Sequence, residues 1–219
     1  MSILKLVVFF ALILTVSVQS KPLSLQDEVQ TALEKLQKVV EITIDRDSKR
    51  LSRIHQQFDV VMGGNVKGAF KLMQDTVREV NSRLNHMEIT ECIQNVIKFI
   101  SRIPIVPTRD MFVCVADEEK LVNKLYQEGL VEVRRAQDQV QIIEDQVKQC
   151  DNSECLSKLL EEIQKQTNEL PTDTNVKTNP YVKKIENTQS NMIVCTSNTV
   201  RLVEIQVSSA EHSANKCQQ

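Results

Sequence analysis

From Val122 onward, apolar or small residues recur at alternating steps of four and three: Val122, Tyr126, Gly129, Val133, Ala136, Val140, Ile143, Val147 and Cys150. A 3.5-residue period marks an amphipathic helix, because a strand would alternate every second residue. Asp117 stands where an N-cap belongs, and Glu118 and Glu119 complement the helix dipole in the first turn. The pattern predicts a helix over 117–150, about 50 Å long at about 1.5 Å per residue. Gly129 is its weak rung, costing about 1 kcal/mol against Ala, but it lets a neighbouring helix approach closely.

The run Cys150-Asp151-Asn152-Ser153-Glu154-Cys155 interrupts this stripe, because short polar side chains compete for backbone hydrogen bonds and favour turns. Asp151 with Glu154 reads as a capping box for the next helix. That helix carries Leu156, Leu160, Ile163, Thr167 and Leu170, and Pro171 is expected to end it. Two helices across a short turn predict an antiparallel hairpin. The stripes read as core-facing rungs of a bundle, with an intermolecular coiled coil as the alternative.

Upstream, Ser24 caps a first helix with Asp27 and Glu28 in its opening turn and Val29, Ala32, Leu36 and Val39 as its stripe. Leu51, Ile54, Phe58 and Val61 continue it, and Gly63-Gly64 is expected to break it. Val66, Phe70, Met73, Val77, Val80, Leu84 and Met87 form further heptads. The phase then shifts by two residues to Ile89, Ile93, Val96, Ile100 and Ile103, which predicts an interruption near 85–90. Pro104 and Pro107 make 104–116 a loop containing Cys114. The stretch 171–180, bounded by Pro171 and Pro180, reads as a polar connector. The last helix carries Ile193, Thr196, Val200, Val203, Val207, Ala210, Ala214 and Cys217.

The expected fold is all-α: an elongated helical bundle of antiparallel hairpins stapled by disulfides. Its parts are a signal peptide (1–20), an N-terminal helical region (21–103), the proline-containing loop (104–116) and a cysteine-framed helical region (117–219). The two helical regions are expected to form one continuous domain. In the leader, Lys5 precedes an apolar run from Leu6 to Val18, followed by Val18-Gln19-Ser20 as a small-residue cleavage site. That run is shorter than the roughly 20 residues of a membrane span. Cleavage before Lys21 would give a secreted, extracellular protein without a transmembrane anchor.

Charge narrows the choice of partner. Of 27 Lys and Arg, Lys5 falls in the leader; the remaining 26 against 29 Asp and Glu give a net charge of −3. The charges are interspersed, not gathered in the basic stripe that nucleic acid requires. His55, His86 and His212 are far apart and read as lone exposed histidines, not metal ligands. G-x-S-x-G, H-E-x-x-H and P-loop motifs are lacking. The carboxylates Glu161, Glu162, Asp45 and Asp47 read as solvated, and Asp45 to Arg50 as a solvated hinge. The chain is therefore expected to have no catalytic, cofactor-binding or metal-binding residues.

The six cysteines, Cys92, Cys114, Cys150, Cys155, Cys195 and Cys217, imply three disulfides in an oxidising compartment. The five-residue step from Cys150 to Cys155 is not a zinc-knuckle or redox spacing. On one straight helix Cys195 and Cys217 lie about 33 Å apart, beyond the roughly 7 Å a disulfide spans. If the connector at 171–180 turns the chain back, Cys195 returns to the level of the 150/155 turn. Cys195 is then expected to pair with Cys150 or Cys155, Cys92 with Cys114 across the proline loop, and Cys217 with the cysteine left over.

The leader, the cysteine-framed helical region from about 90 to 217, the Cys150-Asp-Asn-Ser-Glu-Cys-Leu156 turn and the Gln/Asn-rich polar faces together resemble the TsetseEP-domain proteins. The resemblance covers about half of the chain and implies a secreted, non-enzymatic insect protein of the gut lumen or another fluid, linked to responses to microbes. The namesake's Glu-Pro repeat tail has no counterpart here. The expected role is binding of a protein, glycan or apolar ligand, with self-association through the heptad stripes as a further possibility. A carrier of lipid or another apolar ligand in the bundle core is the alternative.

Overall fold

The computed structural model describes residues 24–218, so the leader over 1–20 lies outside the described residues. Four helices follow one another: α1 (Leu25–Leu84), α2 (Glu91–Ile100), α3 (Ile105–Gln149) and α4 (Ser153–Lys216). No strand occurs among the described residues. The fold is an all-α, disulfide-stapled bundle, as the periodicity predicts. At about 1.5 Å per residue, α1 and α4 are each about 90–95 Å long.

Cross-helix hydrogen bonds fix the topology. Arg46 and Arg50 on α1 reach Pro171, Asn175 and Asn179 on α4, and Arg83 reaches Glu211. These partners are offset by 125, 125, 129 and 128 residues, so α1 and α4 run parallel. Gln37 meets Glu144 and His55 meets Asn123, so α3 runs antiparallel to α1. The α2–α3 line descends against two ascending helices that also pack on each other.

The α1 start follows from its cap. The Ser24 hydroxyl oxygen accepts from Asp27 N–H, and the Asp27 carboxylate accepts from Ser24 N–H, closing a capping box. The interruption near 85–90 is also present, between Leu84 and the N-cap Thr90 of α2.

Three expected breaks are not breaks. Gly63 and Gly64 lie inside α1; the helix continues because Phe58, Ala69 and Met73 stay buried on either side and outweigh the propensity cost. Residues 105–116 are the first turns of α3, not a loop: Pro107 sits in the opening turn, where a missing N–H costs nothing. Asp117 is therefore mid-helix and caps nothing. Pro171 and Pro180 lie inside α4, where each removes one helical hydrogen bond. Pro180 is exposed, as is Val176, whose carbonyl it orphans, so water can take that bond. The cap of α4 is Asn152, not Asp151, and its side-chain oxygen accepts from Cys155 N–H at 2.9 Å.

The predicted α3 stripe is buried at Val122, Gly129, Val133, Ala136, Val140 and Ile143, with Tyr126, Val147 and Cys150 partly buried. On α1 the stripe is offset locally: Ala69 is buried while Phe70 is 41% exposed, and Leu33 and Val40 join the core. At Gly129, an added Cβ would lie 3.1 Å from both Leu51 methyl carbons and 3.4 Å from Tyr181 Cβ. This is the close helix approach the weak rung admits.

Candidate functional site

The cysteines form the frame on which any site must rest. Cys92 pairs with Cys217, Cys114 with Cys195, and Cys150 with Cys155, at Cα separations of 5.8, 6.6 and 5.7 Å. All six expected cysteines are thus in disulfides, but neither Cys92–Cys114 nor a bond from Cys195 to Cys150 or Cys155 forms. The reason is the unbroken α4. It carries Cys195 some 40 residues, about 60 Å, beyond Cys155, so the chain never returns to the turn. The first two bonds both join the α2–α3 line to α4, and Cys150–Cys155 closes the turn between α3 and α4.

The bundle's middle is polar. Thr43, Asp47, Thr174 and Thr178 are buried there, between an aliphatic cluster at the 150/155 end and a larger one at the other end. Asp47 is 2% exposed, which overturns its reading as a solvated carboxylate. A buried charge needs a partner; Arg46 supplies it, donating from Nε and Nη2 at 2.9 and 3.0 Å. Arg46 also donates to the Pro171 carbonyl at 3.1 Å, and Arg50 to Asn175 and Asn179 at 2.6 and 2.8 Å. The expected hinge at 45–50 is thus continuous helix tied to α4. The Asp47 carboxylate, through its hydrogen bonds, raises the Arg46 pKa.

His55 is partly buried, not exposed, with Nε2 2.7 Å from the Asn123 amide oxygen and its ring 4.6 Å from the Tyr126 ring. His86 and His212 are exposed. Among the described residues no three of His, Cys, Asp and Glu gather closely enough to hold a metal ion. Near the Cys92–Cys217 end, Arg83 donates to both Glu211 oxygens at 2.7 and 3.0 Å and to Glu79 at 2.6 Å. The Arg83 hydrogen bonds hold the Glu211 carboxyl below its ordinary value. On the α3 surface Lys148 does the same for Asp145.

Two open grooves flank the stapled end. One, about 850 Å³, lies between α1 and the start of α3 and is lined by Phe70, Val77, Asn81, His86, Pro104 and Ile105. In its wall the Asn81 amide donates to Ser101 Oγ at 3.2 Å, while its Oδ1 is buried and receives no hydrogen bond. The other, about 650 Å³, lies between α2 and α4 and includes Val96, Phe99, Ile205 and Ala210. Phe99, Ile105 and Ile205 are 60%, 64% and 57% exposed. The heptad count missed these residues because they lie off the core stripe. The signal was in the composition: of six aromatics outside the leader, Phe70, Phe99 and Phe112 are spent on the surface of this one end.

The class this architecture defines is a disulfide-cross-linked bundle of three long helices packed against each other, and no helix among the described residues is long and apolar enough to cross a membrane. No family model, curated protein or solved structure matches the chain.

Proposed function

We propose that the chain is a secreted, non-enzymatic binding protein of an extracellular fluid, and that it works through the apolar groove at its stapled end. The carrying observation is that groove, with Phe70 and Ile105 exposed on its walls. An exposed apolar cleft suits a partner that offers an apolar group. Three disulfides support an oxidising compartment. The likeness to TsetseEP-domain proteins supports an insect fluid such as the gut lumen, with a role linked to microbial challenge. The lipid-carrier reading is less supported, because the bundle interior is filled by buried rungs from end to end.

Non-denaturing mass spectrometry of the protein recovered from the medium of secreting cells is the test. The expected species starts at Lys21, weighs six hydrogens less than the reduced chain, and retains a partner that Ile105→Glu releases. Retention inside the cell, free thiols, or a partner held equally by wild type and Ile105→Glu would refute the proposal.

A further inference from the structure

The disulfides are not shared evenly among the long helices. The first cysteine of the sequence is Cys92, so α1 carries none. All three bonds lie within α2, α3 and α4, which are joined at Cys92–Cys217, Cys114–Cys195 and Cys150–Cys155. Helix α1, 60 residues long, is held by packing and by a few polar contacts alone. Those contacts fall in two groups. Gln37, Arg46, Arg50 and His55 bind the hairpin between Cys114–Cys195 and Cys150–Cys155, and Asn81 and Arg83 bind the stapled end.

Between the groups lie Gly63, Gly64 and Gly68. Glycine is the weakest helix former after proline, and a glycine inside a helix usually answers to a close packing contact. None is present here: a Cβ at any of the three would meet nothing within 4 Å. Their level in the bundle is specific. The offset of 125–129 residues between α1 and α4 sets Cys195 beside residues 66–70 of α1. The glycines therefore sit where the covalently stapled end of the bundle begins.

We propose that residues 25–62 of α1 form a releasable arm, hinged at Gly63–Gly68, that leaves the α3–α4 hairpin as one unit while residues 69–84 and the hairpin stay in place. Release uncovers the aliphatic faces of Ala136, Val140, Ile143, Ile163 and Leu170, which the arm covers with Val29, Leu33, Leu36 and Val40. The hairpin keeps its geometry because it is cross-linked at both ends of the uncovered stretch, by Cys114–Cys195 and Cys150–Cys155. The arm loses its helix on leaving, since helices in proteins owe most of their stability to tertiary packing. Release is therefore visible as amide exchange.

Native-state hydrogen exchange on the disulfide-intact secreted protein, resolved by peptide, tests this. Peptides from 25–62 should exchange through one shared opening, at least about tenfold faster than peptides from 69–84 or from the hairpin between its disulfides. The Gly63→Ala/Gly64→Ala/Gly68→Ala variant should remove the step at the glycines, so that the rates on its two sides converge. A wild-type α1 that exchanges together with α3 and α4 would overturn the proposal. So would rates that fall smoothly from the N-terminus, or a step that the triple variant leaves unchanged.

Discussion

Alanine at each of the four glycines separates helix propensity from packing, because one substitution meets two different surroundings. At Gly63, Gly64 and Gly68 the new Cβ points into open space, so only the backbone gain remains, about 0.5–1 kcal/mol per site. The triple variant should gain about 2 kcal/mol, which for a chain of this size is about 4–8 °C in Tm. At Gly129 the same backbone gain is opposed by a Cβ 3.1 Å from both Leu51 methyl carbons and 3.4 Å from Tyr181 Cβ. Leu51 is fully buried between Val133 and Val182 and has nowhere to move. Overpacking of this kind costs about 1–3 kcal/mol, so Gly129→Ala should lose about 1 kcal/mol net. Thermal and urea unfolding followed by helical circular dichroism, with disulfides intact, measure both. If all four sites respond with the same sign, the packing account of Gly129 is wrong.

The disulfides should differ in weight. Cys150→Ser/Cys155→Ser opens a five-residue separation and should cost about 2 kcal/mol, while Cys92→Ser/Cys217→Ser, which with Cys114–Cys195 in place closes two stretches of 22 residues, should cost about 4 kcal/mol, as read by urea midpoints. Asn152→Ala removes the side-chain cap of α4 and should cost about 1 kcal/mol in the same assay. Glu211→Gln should show a pH signature. Arg83 lowers the Glu211 carboxyl below its ordinary 4.5, so the pair stabilises the fold above that pH and loses its effect as acid protonates the folded carboxyl. The wild-type advantage over Glu211→Gln should be full above about pH 5 and shrink below it; an advantage that does not vary with pH would remove the ion pair from the account.

The α3 stripe was legible because its rungs are aliphatic or small and nothing in 117–150 interrupts them. The α4 stripe was not, because between Leu170 and Met192 many of its rungs are polar. Thr174, Thr178 and Thr188 are buried at helical spacing around Val182 and Ile185, and a run with more polar rungs than aliphatic ones does not stand out as a stripe. Two flanking prolines completed the appearance of a connector. A connector there would also move the disulfides, since a bent α4 returns Cys195 to the turn and a straight one does not. The correct pairing did leave a trace: Cys92 to Cys114 and Cys195 to Cys217 are both steps of 22 residues. Equal spacing on two strands of an antiparallel helical pair is what two rungs of one ladder require. Asp47 was illegible for a different reason. Its burial depends on Arg46, which pairs with it and also reaches the Pro171 carbonyl, and α4 approaches from 125 residues away.

Repeating rungs leave a register problem, and each helix meets it differently. A bundle built on aliphatic heptads can slide by seven residues, about 10 Å, and still bury most of its stripe. For the α2–α3 line against α4 the slide is forbidden covalently, since both Cys92–Cys217 and Cys114–Cys195 would have to break. Helix α1 has no such bond. What it has is the polar layer: a slide of one heptad would carry Arg50 away from Asn175 and Asn179, and Arg46 away from the Pro171 carbonyl. Asp47 would then face whichever aliphatic rung took the place of this layer. The hydrogen bonds are individually modest, about 1 kcal/mol each, but a slide breaks all three at once and moves the Asp47–Arg46 pair, which travels together on α1, into an aliphatic layer. The residues that make the core less hydrophobic at its centre are therefore the ones that hold α1 in register, and they do so without a cross-link that would stop the arm from leaving.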